Sequence, residues 1–207
     1  VSSVPTAIAD MVLDNVIIHF ENDSPNRRDV SVSNGGVEPL YIEIIPYEVT
    51  SPGTSTEAKI KATNPKQAGL LVSPNKLVVQ PGSKKVVRFV NLNTKREAEG
   101  IYRVLFKPVT GPIQAEETGV KLMIGYEVLV LAHPQNASAD LTENRRGNQL
   151  DLTNSGNVDI YLRQGVQCPA LDSLEADCLA LPDKRLYPGN TLSLTLANNG
   201  PVKYQLG

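Results

Sequence analysis

Apolar and polar residues alternate in short β-branched runs through the first two thirds of the chain, and clusters of Gly, Pro, Asn and Ser separate the runs. Alternation with period two marks half-buried strands, and helical periodicity is almost absent. The runs predict strands over Val12–Phe20, Asp29–Ser33, Leu40–Val49, Lys76–Val79, Val86–Leu92, Ile101–Lys107 and Val120–Leu131. Short strands with closely spaced turns are the pattern of an immunoglobulin-like sandwich. Pro46 inside the third run predicts a bulge or an edge position, because proline cannot donate to a ladder. The polar stretch Thr50 to Gly69 predicts a long loop.

After Pro134 the pattern restarts. Val32-Ser-Asn-Gly-Gly-Val37, followed by Leu40-Tyr-Ile-Glu-Ile44, is echoed by Leu152-Thr-Asn-Ser-Gly-Asn-Val158 and Ile160-Tyr-Leu162. Gln80-Pro-Gly-Ser83 before Val86-Val-Arg-Phe89 recurs as Tyr187-Pro-Gly-Asn190 before Leu192-Ser-Leu-Thr-Leu196. The echoes keep their order in both halves, as two copies of one topology would. The expected fold is all-β: two immunoglobulin-like β-sandwich domains in tandem, residues 1–133 and a smaller 134–207.

Composition narrows the function. The chain has 207 residues, 41% of them hydrophobic, and a formal net charge of −2. That charge is the wrong balance for a nucleic-acid binder, which must displace counterions from phosphates. No apolar run is long enough to cross a bilayer as a helix. The opening Val-Ser-Ser-Val-Pro fits an exported chain whose targeting segment is gone. Cys168 and Cys178 lack the companion ligands of a zinc site and the spacing of a Cys-x-x-Cys pair. They read as a local disulfide in an oxidising compartment, or as two buried thiols. Catalytic signatures are missing: His19 sits in the run Val16-Ile-Ile-His-Phe20, His133 at the domain junction, and no nucleophile elbow, P-loop or dinucleotide fingerprint occurs. The chain reads as a non-enzymatic binding protein without cofactor or metal.

One segment suggests how it binds. In Thr118 to Leu131, Val120, Leu122, Ile124, Tyr126, Val128 and Val130 share one face by period two. Such a row is the last core strand of the first sandwich, or an edge that adds itself to another protein's sheet.

Several phrases together resemble the periplasmic chaperones of the chaperone–usher pathway. They are Val72-Ser-Pro-Asn-Lys-Leu-Val-Val-Gln-Pro-Gly-Ser-Lys-Lys-Val-Val-Arg-Phe89, then Glu99-Gly-Ile-Tyr-Arg-Val104, and the long segment Val120–Pro134. Leu13-Asp14 to Phe20 with Val30-Ser-Val-Ser-Asn34 fits the first strands, and the cysteine pair before Arg185-Leu-Tyr-Pro-Gly189 is similar to the second domain of some members.

The resemblance implies a mechanism. A pilin is a sandwich lacking its last strand, and the chaperone lends its own before delivery to an outer-membrane usher. Val120, Leu122 and Ile124 are the implied donor row, with Tyr126 as an extension, and the unloaded protein is expected to self-associate through that edge. Family members also anchor the subunit's C-terminal carboxylate with two basic residues. At the aligned positions of the best-studied members this chain has Ile17 and Leu129. The archaic and alternate branches take the arginine from a Tyr-Arg motif, here Arg103, whereas their lysine falls near Gln135. His133 is the implied partial substitute. Arg88 and Glu99 are expected to form a structural ion pair. The alternative is a structural or adhesive two-domain protein that has lost subunit capture.

Overall fold

The computed structural model of the chain describes residues 11–22, 24–110, 123–170 and 177–207. It divides into two compact units, the second beginning at His133 and including Ser51–Glu57 and Arg96–Glu99.

The first unit contains β1 (Met11–Leu13), β2 (Ile17–Phe20), β3 (Arg27–Asn34), β4 (Leu40–Thr50) and β5 (Ala58–Lys61). After a one-turn helix α1 (Pro65–Ala68) come β6 (Leu70–Ser73), β7 (Lys76–Val79), β8 (Lys84–Asn91), β9 (Gly100–Val109) and β10 (Tyr126–Ala132). One sheet runs β1-β3-β8-β6; the other runs β2-β10-β9-β4-β5, with β7 also paired to β4. Alternate residues of both sheets meet in one core, including Val30, Val87, Phe89, Phe106, Val128 and Val130. The Phe89 and Phe106 rings stack at 6.4 Å across it.

The first predicted strand is two strands on different sheets: β1 pairs antiparallel with β3, and β2 pairs parallel with β10. The break falls at Asp14 and Asn15. Asp14 Oδ1 accepts the Ser31 amide across from it, and Asn15 Oδ1 accepts the Ile17 amide in a local turn between the two strands. The expected loop 50–69 contains β5 and α1. Asn64 caps α1 by accepting from the Lys66 and Gln67 amides, and Gly69 ends it at φ 77°. Pro46 lies in the central strand β4, where that strand changes partners from β7 to β5. Its carbonyl accepts from Ala62 on that flank, so its missing N–H faces the gap between the partners and removes no ladder bond.

The second unit contains β11 (Leu141–Arg146), β12 (Gln149–Asn154), β13 (Ile160–Gln167), β14 (Leu179–Ala180), β15 (Lys184–Leu186), β16 (Thr191–Thr195) and β17 (Val202–Leu206). Its sheets are β11-β12-β16 and β14-β13-β15, with β17 also on β13. Leu150, Leu152, Ile160, Leu162, Leu186 and Leu194 belong to its core. Cys168 and Cys178 form a disulfide.

The sequence echoes are one hydrogen-bonded device built twice. Asn34 Nδ2 donates to the Glu38 and Val79 carbonyls, and its Oδ1 accepts from Gly36. Asn154 Nδ2 donates to Val158 and Leu186, and its Oδ1 accepts from Gly156. The Asn34 amide donates to Ser83 and its carbonyl accepts from Gly82; Asn154 repeats this with Asn190 and Gly189. Gly82 and Gly189 have φ of 67° and 81°, a left-handed position in each Pro-Gly turn that favours glycine.

Candidate functional site

β10 pairs with β9 from Tyr126 to Ala132, but β2 covers its other flank only from Leu129 to Ala132. Among the described residues, nothing pairs with the second flank at Tyr126, Glu127 and Val128, which leaves that stretch an open sheet edge among them. Gly125 extends the approach to β9: a Cβ there would lie 3.1 Å from the Phe106 carbonyl oxygen. The inward row leaves the core along this edge. Val130 and Val128 are fully buried, Tyr126 is half-buried against the core, and Ile124 is 57% exposed. The remaining donor residues of the sequence reading, Val120 and Leu122, lie outside the described residues.

Arg103 lies on β9 opposite Leu129 of β10 and Tyr47 of β4. Its strand neighbours Tyr102 and Val104 point into the core, so Arg103 projects from the other face of the sheet. It is half-buried and forms no hydrogen bond or ion pair with another described residue. Nearby, Lys59 Nζ meets Glu127 Oε1 at 2.5 Å.

Arg88 and Glu99, expected to pair with each other, each have partners within their own unit. Register places Asp29 directly opposite Arg88, and Arg88 Nε lies 3.0 Å from Asp29 Oδ1. Hydrogen bonds from Arg27 and then Arg88 hold Asp29 well below the usual carboxylate range. Glu99 instead belongs to the second unit. Its Oε2 accepts from the Asp159 amide at 3.0 Å, and Oε1 lies 3.5 Å from His133 Nε2. Burial, then the Asp159 carboxylate, pushes Glu99 up to about 9. Arg185 is bonded to Asp159 and stacks over the Tyr161 ring at 4.8 Å. His133, the implied partial anchor, has its Nε2 facing two carboxyl groups of its own chain, those of Glu99 and Asp159. Sequence pattern gives no sign of Asp159 and Arg185 as members of this cluster, since strand register, not spacing, joins β13 to β15.

No family model matches the chain. A curated relative, a CFA/I fimbrial subunit of Escherichia coli, is 28% identical over 185 residues, covering 84% of this chain and 75% of its own. The crystal structure of the class 5 fimbriae chaperone CfaA superposes with a TM-score of 0.71 and 23% identity, over 95% of this chain and 92% of that one. A structure from a chaperone–tip adhesin complex of CFA/I fimbriae gives 0.70 and 23%, over 96% and 92%. The fold is that of the periplasmic fimbrial chaperones, and the resemblance carried by the sequence motifs holds over nearly the whole chain.

Proposed function

We propose that the chain is a periplasmic chaperone of fimbrial subunits, which caps an incomplete subunit by lending it β10 and the residues before it, then passes it to an outer-membrane usher. The observation that carries this reading is the flank of β10 left open among the described residues, with Ile124 exposed on the same row as the core residues Val128 and Val130. An unpaired edge offers N–H and C=O groups to a guest strand, and alternate side chains supply the fit. Arg103, a half-buried cation with no internal partner among the described residues, supplies the charge that fixes the guest. The Cys168–Cys178 disulfide suits an oxidising compartment such as the periplasm. Nothing in this mechanism calls for catalysis or a cofactor. Unloaded, the same edge is the surface through which two copies would associate.

The curated relative carries the name of a fimbrial subunit. In this mechanism the borrower lacks its last strand, whereas here β10 fills its own core with Val128 and Val130. That completeness favours the lender over the borrower.

Periplasmic co-expression with a fimbrial subunit of its own assembly system, lacking the subunit's donor strand, tests the reading. The parent should co-purify with the subunit. Ile124→Asp and Arg103→Ala should each lose at least about tenfold of that recovery while keeping the parent's circular dichroism. Undiminished recovery with both variants refutes the proposal.

A further inference from the structure

The sequence contains two Asn-Gly dipeptides, Asn34-Gly35 and Asn199-Gly200. In such a dipeptide the glycine amide nitrogen can close on the preceding carboxamide carbon, because glycine has no Cβ to hinder the approach. As sequence the two are equivalent, yet the fold treats them in opposite ways. Asn34 is 2% exposed, and its carboxamide is bonded throughout: Nδ2 donates to the Glu38 and Val79 carbonyls, and Oδ1 accepts from Gly36. Asn199 is exposed in the connection between β16 and β17, and its side chain forms no hydrogen bond with another described residue.

The neighbours of Asn199 hold the connection in place. Asn198 Oδ1 accepts the Gly200 amide at 2.7 Å, and Gln167 Nε2 donates to both the carbonyl and Oδ1 of Asn198. The Pro201 carbonyl accepts the Cys168 amide at 3.0 Å, and a Cβ on Gly200 would run into the Cys168 carbonyl oxygen. Packing therefore requires glycine at 200. Ring closure at Asn199 gives up one exposed hydrogen bond, that of the Gly200 amide, which slows it by about two- to tenfold against an unfolded chain. Closure at Asn34 gives up three buried bonds, a slowing of about tenfold to a thousandfold.

We propose that Asn199 is a site of spontaneous covalent modification, converted through a succinimide to isoaspartate and aspartate, and that Asn34 is protected by the turn device it builds. The deprotonated Gly200 nitrogen attacks Asn199 Cγ. A new C–N bond forms, the Cγ–Nδ2 bond breaks, and Nδ2 leaves as ammonia, taking in exchange the proton that Gly200 gave up. Water then opens the ring. Cleavage between Cγ and nitrogen gives aspartate; cleavage between the main-chain carbonyl carbon and nitrogen gives isoaspartate. No electrons are transferred, and water is the only co-reactant. Isoaspartate adds a carbon to the main chain beside a glycine that has no room to spare, so it displaces Gly200 from Cys168 and opens the bond from the Cys168 amide to Pro201.

The test is tryptic peptide mapping of the disulfide-bonded full chain aged in mildly alkaline buffer, beside a sample aged in urea. Leu186–Lys203 contains Asn199 and Asp29–Lys59 contains Asn34. In the folded chain Asn199 should convert within about tenfold of its rate in urea, and Asn34 at least about tenfold more slowly than Asn199. In urea the two should convert together. Asn199→Gln, whose extra methylene prevents closure of the same ring, should leave Leu186–Lys203 without isoaspartate. The Cys168 amide should exchange at least about tenfold faster in the isoaspartate fraction than in fresh protein. Asn199 staying intact in the folded chain while the urea sample reacts, or Asn34 converting in step with it, overturns the proposal. Unchanged exchange at Cys168 refutes the displacement of Gly200. None of these outcomes bears on the chaperone reading, which uses no residue of this connection.

Discussion

The carboxamides of Asn34 and Asn154 each satisfy three backbone groups that the end of one strand and the start of the next would otherwise leave buried and unbonded. Only a side chain with two donors and an acceptor does this, which is why the Asn recurs at the same place in both echoes. Glu99 is the opposite case: an acid kept in a poor environment. Its side chain is fully buried, with Asp159 the nearest like charge and His133 and Arg185 beside them. Its folded value of about 9 stands above the ordinary 4.5, so the folded state holds a proton that the unfolded chain sheds between those limits. The stability attached to that proton is complete below pH 4.5 and is lost as pH rises to about 9. Glu99→Gln keeps the shape and removes the titration. Urea denaturation at pH 5, 7 and 9 should show the parent weakening with pH and the variant flat, ahead by about 1–3 kcal/mol at pH 9. Parallel pH profiles would mean that Glu99 is ionised in the fold. The residue types of this cluster are visible in the sequence, but their partners are not. Arg88 finds Asp29 because the register of β3 on β8 sets them opposite, and no motif spacing encodes that register.

β10 is a core strand over one part of its length and an edge over another, and a single alternating row runs through both parts. The consequence is measurable along that row. Val128 is fully buried, so Val128→Asp should destabilise the first unit by about 4 kcal/mol or more, an unpaired charge in an apolar core. Ile124→Asp, two turns of the alternation away at an exposed position, should leave the melting temperature within about 2 °C of the parent. Equal damage from both would place Ile124 inside the core and close the edge. Period-two alternation made this strand and most of its neighbours legible, because one buried face writes itself into the sequence. It failed where burial is absent or divided. All four residues of β5 are exposed, so the brief alternation of Ala58-Lys-Ile-Lys61 marks no buried face, yet this strand sets Lys61 opposite Tyr47. β1 and β2 read as one strand in the sequence, and the pairing of β1 with β3 and of β2 with β10 shows that it serves two sheets. The open edge itself is a property of β2 starting at Ile17, which β10's own residues cannot announce.

At the scale of the molecule, the two units build the same turn device on cores of unequal size. Among the described residues, the first core holds eighteen buried side chains and the second seven. A smaller core buries less apolar surface against the same cost in chain entropy per residue, so the second unit gains more from a covalent constraint. The disulfide provides one, closing a loop with a sequence separation of 10. A loop of that length restricts the unfolded chain by about 2–3 kcal/mol. Because the constraint lies wholly within the second unit, its loss should be felt there first. In the double variant Cys168→Ser, Cys178→Ser, amide exchange should accelerate in β12, β13 and β16 by about 30- to 150-fold wherever exchange requires unfolding of the unit. Exchange in β3 and β8 should stay at the parent's rate. Equal acceleration in both sets of strands would mean that the two units unfold as one, and that the disulfide stabilises the whole chain rather than its smaller half.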